Sequence, residues 1–203
     1  MEITEKAKTV LITGASSGIG YELTKLFARD RYNLVLVARS ESKLQQIASE
    51  LTQQFGVTVK FITKDLALST SPIEIWQELQ TEGIAIDILV NNAGFATYGL
   101  FTETELQAEL NMMQLNMATL THLTKLFLQE MFPRKTGKIL NIASTAAFQP
   151  GPLMAVYYAT KAYVLSFSEA LANELQGTGI TVTVLCPGPT ASGFQTSRSS
   201  SLF

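Results

Sequence analysis

The chain has 203 residues, 46% of them hydrophobic, and Lys+Arg 15 against Asp+Glu 17 leaves a formal net charge of −2. That length fits one domain with ample core material, and the lack of a cationic surplus argues against nucleic-acid binding as its main task. With one Cys and one His, a disulfide framework, zinc modules and two-histidine metalloproteases are excluded, and no metal site is expected.

Residues 1–8 are polar where a secretory leader needs an apolar stretch, and no apolar run nears the roughly 20 residues that span a bilayer. A cytoplasmic protein in a reducing compartment, without a membrane span, is expected. Cys186 lies inside an apolar run and reads as a buried small hydrophobe rather than a nucleophile.

The first β-branched run, 9–13, ends in Thr13-Gly14-Ala15-Ser16-Ser17-Gly18-Ile19-Gly20 and enters an amphipathic stretch at 19–29. A strand that turns on glycines into a helix lets the backbone approach a pyrophosphate. The helix start then supplies free N–H groups and the positive end of its dipole. The same residues fit G-x-S-x-G, the nucleophile elbow of serine hydrolases. That reading fails for want of a base: the only histidine, His122, falls mid-helix among Leu120, Leu123 and Leu126, not late in the chain. A lysine-bearing phosphate loop fails too, because Tyr21 follows Gly20.

The second apolar run, 33–38, ends in Val37-Ala38-Arg39. Where an acidic residue would bond the adenosine ribose of NAD, this chain has Ala38 and then a guanidinium able to pair with a 2′-phosphate. NADP(H) is therefore the preferred cofactor, with NAD(H) possible. A helical pattern at 42–55, a strand at 57–63, a helix at 73–82 and a strand at 86–91 follow, the last leading into Asn91-Asn92-Ala93-Gly94. A long helical pattern occupies 103–131. Then come a strand at 138–142 ahead of Ser144, a helix at 154–176, and a strand at 180–186 ahead of Pro187-Gly188. The strand runs are apolar almost throughout, as strands covered on both faces require. The alternation predicts an α/β domain with a doubly wound parallel sheet and right-handed crossovers.

Tyr157 and Lys161, four apart, share one face of the helix at 154–176. A phenol with a pKa of about 10 is badly matched to proton transfer near neutrality, and a neighbouring ammonium brings that value down. Tyr21 and Lys25 repeat the spacing but lack company, and read as surface or packing residues. Ser144 follows the fifth strand and Asn92 the fourth, on the same carboxyl edge as the glycine turn and Arg39. That edge is where ligands bind in open α/β sheets.

The glycine motif, Asn91-Asn92-Ala93-Gly94, Ser144, Tyr157-x-x-x-Lys161 and Pro187-Gly188, in this order and spacing, resemble the short-chain dehydrogenase/reductase (SDR) family. The resemblance covers essentially the whole chain. It implies a single-domain Rossmann fold with sheet order 3-2-1-4-5-6 and helices on both faces. It also implies an NADP(H)-dependent oxidoreductase interconverting a carbonyl and a secondary alcohol. Tyr157 would be the general acid/base, Lys161 would lower its pKa and hold the nicotinamide ribose, Ser144 would hold the substrate oxygen, and Asn116 would position a relay water. For the cofactor, the resemblance implies Gly14, Ser16, Ser17, Gly18, Ile19 and Gly20 at the pyrophosphate and Asp65 with Leu66 at the adenine. Asn92, Ala93 and Gly94 would form the cleft wall, with Pro187, Gly188 and Ser192 at the nicotinamide. At Ser192 the family usually has threonine, a change that keeps the hydroxyl.

Family members continue through a substrate-covering loop, another helix and a last strand, whereas this chain stops at Phe203. Residues 1–188 are expected to form the dinucleotide-binding domain with its catalytic residues, and 189–203 the start of the substrate loop or a tail. The chain is then a piece of a longer protein or a shortened member, and the alternative function is a non-catalytic dinucleotide-binding protein or scaffold. Phe95, Ala96, Tyr98, Ala146, Phe148, Pro150, Leu153, Val156 and Phe194 suggest apolar surroundings and a small hydrophobic carbonyl or alcohol substrate. A homodimer or homotetramer through the helices at 103–131 and 154–176 is implied by the resemblance, with Met112, Met113 and Met117 in that surface or in the core.

Overall fold

The computed structural model describes residues 7–190. Six strands form one parallel sheet in the order β3-β2-β1-β4-β5-β6: β1 Thr9–Thr13, β2 Asn33–Ala38, β3 Val59–Thr63, β4 Ile88–Asn91, β5 Gly137–Ile142 and β6 Ile180–Leu185. The expected order 3-2-1-4-5-6 is the one found. Central β1 pairs Leu11 with Val35 of β2 and with Leu89 of β4. Because side chains alternate across a strand, Leu11, Val35, Val37, Leu89 and Ile139 gather on one face, and Val10, Ile12, Leu34, Leu36 and Val90 on the other. Both sets are buried, which is why these runs carry no polar alternation.

Helices cover the two faces in separate groups. Ala28 of α1 (Gly18–Arg29) and Leu44, Ile47 and Leu51 of α2 (Glu41–Phe55) fill one side. Ile75 and Leu79 of α3 (Ser71–Thr81) fill the other, with Leu123, Phe127 and Met131 of α5 (Leu120–Arg134). Phe127 is fully buried, and removing such a side chain costs about 3–5 kcal/mol. Val164 of α6 (Ala155–Glu174) packs with Leu120 and Ala143, and half-buried Cys186 rests against that cluster.

The spacing predicts one helix over 103–131, and the structure divides it. Residues up to 105 form turns, with Glu103 N and Thr104 N both donating to Leu100 O. α4 (Leu106–Met113) then passes into a π-helical segment, Gln114–Thr119, before α5. Met112 is buried and Met113 exposed, so the three methionines do not share one fate. Tyr21 and Lys25 form a surface pair, the ammonium 4.6 Å from the ring centroid and bonded to Glu22. No helix among the described residues is long and apolar enough to cross a membrane.

Candidate active site

All six strands point their carboxyl ends at one edge, where a cleft of about 640 Å³ opens. Of the catalytic and cofactor residues expected from sequence, all except Gly20, Asn116 and Ser192 line it; of the apolar residues expected around the substrate, Phe95 and Ala146 do, whereas Ala96, Tyr98, Phe148, Pro150, Leu153 and Val156 do not. Gly20 and Asn116 lie just behind its wall, as described next. Ser192 and Phe194 fall outside the described residues, as does the tail from 191 onward. His122 lies half-buried on α5 and lines no part of the cleft.

The glycine end is built from backbone. Gly14 has φ +67° and donates its N–H to Val37 O at 2.8 Å, a left-handed turn that glycine adopts freely. A Cβ on Gly20 would lie 2.3 Å from Gly14 O and 2.4 Å from Asn92 Nδ2, so the helix packs on the turn only because that atom is missing. Ser17 caps α1 in extended conformation without a side-chain bond, and the first turn contains no acid. Its N–H groups are thus open to an anion. Asn92 fastens the turn to β4: Nδ2 donates to Thr13 O at 2.9 Å and Gly14 O at 3.3 Å, while Thr13 Oγ1 accepts from Asn92 N and Ala93 N.

At the far side, Arg39 follows β2, exposed and lining the cleft. Lys43 and Lys64 line it too. Sequence reasoning missed both, although Lys43 stands in the first turn of α2, four residues after Arg39, and Lys64 directly precedes Asp65. Lys64 is held by Glu74 at 2.7 Å, and that ammonium keeps the Glu74 carboxyl below its usual value. Asp65 Oδ1 accepts from Ala67 N at 3.0 Å, shaping the turn after β3.

The opposite end is built from side chains. Tyr157 and Lys161 lie one turn apart on α6, 8% and 6% exposed. Lys161 Nζ sits 5.8 Å from the Tyr157 ring centroid and donates to Ile142 O at 2.9 Å. Burial pushes the Lys161 pKa down to about 8, with nearby Cys186 opposing this more weakly. Ser144 caps the short 3-10 turn Thr145–Phe148; its Oγ accepts from Ala146 N at 3.1 Å and lies 3.5 Å from Pro187 O.

Asn116 sits inside the π-helical segment and is buried. Its Oδ1 accepts from Phe95 N at 3.2 Å, and its Nδ2 donates to Phe95 O and Thr160 Oγ1, both at 3.1 Å. A Cβ on Gly94 would stand 3.0 Å from Asn116 Oδ1 and 3.7 Å from Lys161 Nζ. Ala96, Met112, Ala146 and Met154 cluster around Tyr157, with Phe95 and Val156 against them. Sequence reasoning also missed Glu109, a buried acid on α4 whose Oε1 accepts from Thr97 at 2.8 Å and so pins the loop after β4.

The family model for short chain dehydrogenases matches residues 8–202. The chain is 40% identical over 182 residues to 17-beta-hydroxysteroid dehydrogenase type 3 of Mus musculus, covering 87% of this chain and 58% of that protein. It is 37% identical over 177 residues to a very-long-chain 3-oxoacyl-CoA reductase of Pyrenophora tritici-repentis, covering 85% and 52%. The chain thus spans little more than half the length of these curated relatives. Among solved structures, a short-chain dehydrogenase from Sphingobium yanoikuyae in complex with NADPH superposes with a TM-score of 0.87 at 37% identity, covering 92% of this chain and 73% of that one.

Proposed function

The chain belongs to the short-chain dehydrogenase family, and on that premise we propose that it interconverts a hydrophobic carbonyl and its secondary alcohol as an NADP(H)-dependent oxidoreductase, with Tyr157 passing the proton. The observation that carries this reading is the buried Tyr157–Lys161 pair on one face of α6, opening on the same cleft as the glycine turn.

The residues present fit a nicotinamide dinucleotide. Gly14 and Gly20 leave no Cβ in the turn, α1 starts without a side-chain cap, and the cleft volume of about 640 Å³ lies in the usual range for ligand sites. When bound, such a cofactor supplies or accepts the hydride. Gly14, Ser16, Ser17, Gly18, Ile19 and Gly20 hold its pyrophosphate in this reading, and Asp65 and Leu66 flank the adenine. Asn92, Ala93 and Gly94 form the cleft wall, and Pro187 and Gly188 are assigned to the nicotinamide, as is Ser192 by its place in the motif. Arg39 pairs with a 2′-phosphate beside Ala38, which brings no repelling charge. NADPH in the Sphingobium relative supports this preference.

Tyr157 gives its phenolic proton to a carbonyl oxygen in reduction and takes it back in oxidation. The Lys161 ammonium, fixed on Ile142 O, favours the phenolate that this leaves. Ser144 Oγ accepts from Ala146 N and donates its own hydrogen to Pro187 O only across a long 3.5 Å Oγ···O separation, a weak bond that a substrate oxygen can replace. Asn116 positions the proton relay behind Lys161. The apolar cluster around Tyr157 supports a hydrophobic substrate, as do the steroid and acyl-chain names of the two relatives. A homodimer or homotetramer through the helical stretch from α4 to α5 and through α6 belongs to the same proposal.

Paired fluorescence titrations with NADPH and NADH, followed by a ketone screen, test the reading. Tight NADPH-selective binding with NADPH consumption on apolar ketones is expected. Equal affinities would remove the cofactor preference, and preference for small charged substrates would remove the substrate class.

A further inference from the structure

Beside Tyr157 the cleft wall is made by Tyr158, whose ring meets the Tyr157 ring edge-on, centroids 6.1 Å apart and planes at 77°. Its other side rests on Gly151. A Cβ on Gly151 would fall 2.3 Å from Cδ2, 2.4 Å from Cε2 and 2.5 Å from Cγ of the Tyr158 ring. Ordinary carbon contacts are about 3.5–4.0 Å, so the ring occupies the very space a side chain at 151 would take.

The loop behind that contact is pinned at several points. Met154 N donates to Gly151 O at 3.1 Å, Gly99 N to Leu153 O at 2.9 Å, and Tyr158 N to Met154 O at 3.0 Å. Leu153 is held at φ +66°, a costly backbone for a leucine that persists only where its surroundings enforce it. The ring therefore cannot retreat into the loop, and its remaining freedom is toward the cleft. Beyond these two contacts the ring is only partly buried, against the apolar cluster around Tyr157.

We propose that Tyr158, seated against Gly151, is a specificity-determining residue that sets the width of the cleft beside the Tyr157 hydroxyl and hence the bulk of the ketone or secondary alcohol admitted. This rests on the reading of Tyr157 as proton donor. Removing the ring widens the site, and adding a methyl at 151 drives the ring into it. The two changes act in opposite directions through one contact.

The test uses the full chain with NADPH present and acetophenone and acetylphenanthrene as probes, their dissociation constants read by saturation-transfer NMR. Tyr158→Ala should shift the affinity ratio toward acetylphenanthrene by roughly tenfold or more, and Gly151→Ala should shift it the other way. Tyr158→Phe should leave the ratio unchanged. Gly151→Ala should have no effect once Tyr158→Ala is present, because the group it displaces is gone; such non-additivity marks direct contact. A ratio within about twofold of the parent in Tyr158→Ala with an unchanged melting curve, additive effects, or failure of the parent chain to bind either ketone would each overturn the proposal. Turnover is read separately: bound ketone that is never reduced counts against the role of Tyr157, while the binding ratio still decides that of Tyr158.

Discussion

The two ends of the cleft are made of different material. At the glycine turn the groups offered to a pyrophosphate are peptide N–H donors, and the neighbouring Asn92 spends its amide on Thr13 O and Gly14 O. At the tyrosine end the groups are side chains, Tyr157 and Lys161 buried and Ser144 half-buried, with Lys161 tied to Ile142 O and Ser144 accepting from Ala146 N. Peptide donors titrate at no working pH, so the first end can grip an anion but cannot move a proton. In the proposed reading the second end passes protons, which requires groups whose ionisation is poised. Errors of shape should damage the first, and errors of charge the second.

That contrast sets the order of expected effects. Tyr157→Phe should lower turnover by about 10²–10⁴-fold, the usual share of general acid–base catalysis, with NADPH affinity unchanged in a fluorescence titration. A parallel loss of affinity would erase the distinction between the ends.

Next comes Lys161, whose pKa is about 8 in the fold against an ordinary 10.5. Below pH 8 the folded and unfolded chains both hold the proton, and the cost of burying the charge is fully present. Between the two values the unfolded chain holds more protons, so stability rises with pH, and above about 10.5 the cost is gone. Urea melts should therefore find Lys161→Met more stable than the parent near pH 7, by on the order of 3 kcal/mol, with the gap closing toward pH 10.5. A gap that is flat with pH would mean that this end is not electrostatically poised.

A shape error comes third. Gly20→Ala should cost about 1–3 kcal/mol of stability through overpacking and abolish NADPH binding, leaving the pH profile of any residual turnover untouched. Arg39→Ala is the mildest: about a tenfold loss of NADPH affinity with NADH unaffected, because one charge-assisted contact is removed.

The inner strands were legible because strands buried on both faces must be apolar on both, as Val10–Ile12 and Leu34–Val37 are, whereas edge strand β6 leaves alternate residues exposed. Strand starts were less legible. The run at 57–63 becomes a strand only at Val59, where Leu34 N donating to Thr58 O opens the ladder, because Thr58 N is taken by the Asn33 side chain instead of a strand carbonyl. The helix expected to stop at 131 continues to Arg134 with Pro133 in its last turn, where one i→i−4 bond is lost but no further turn remains to be kinked. The break at Gln114–Thr119 contains neither Gly nor Pro; it is made by tertiary bonds from Asn116 to Phe95 and Thr160, which no local pattern encodes. In the site, spacing placed Tyr157 beside Lys161, but the tie from Lys161 to Ile142 O depends on where β5 ends. Glu109 and Lys43 belong to no motif, and only packing separates a buried acid from an exposed one.

The π-helical segment also governs phase. Its hydrogen bonds enclose one residue more than those of an α-helix, so α4 and α5 run as one rod whose two halves are out of step. That offset lets Met112 face the Tyr157 cluster at one end while Leu123, Phe127 and Met131 face the sheet at the other. Losing a single residue between Gln114 and Thr119 would restore an unbroken pitch and rotate one half against the other by about 100°. The apolar stripe of α5 would turn off the sheet, or Asn116 away from Phe95. The rod can exchange side chains in this stretch far more readily than it can change its length there.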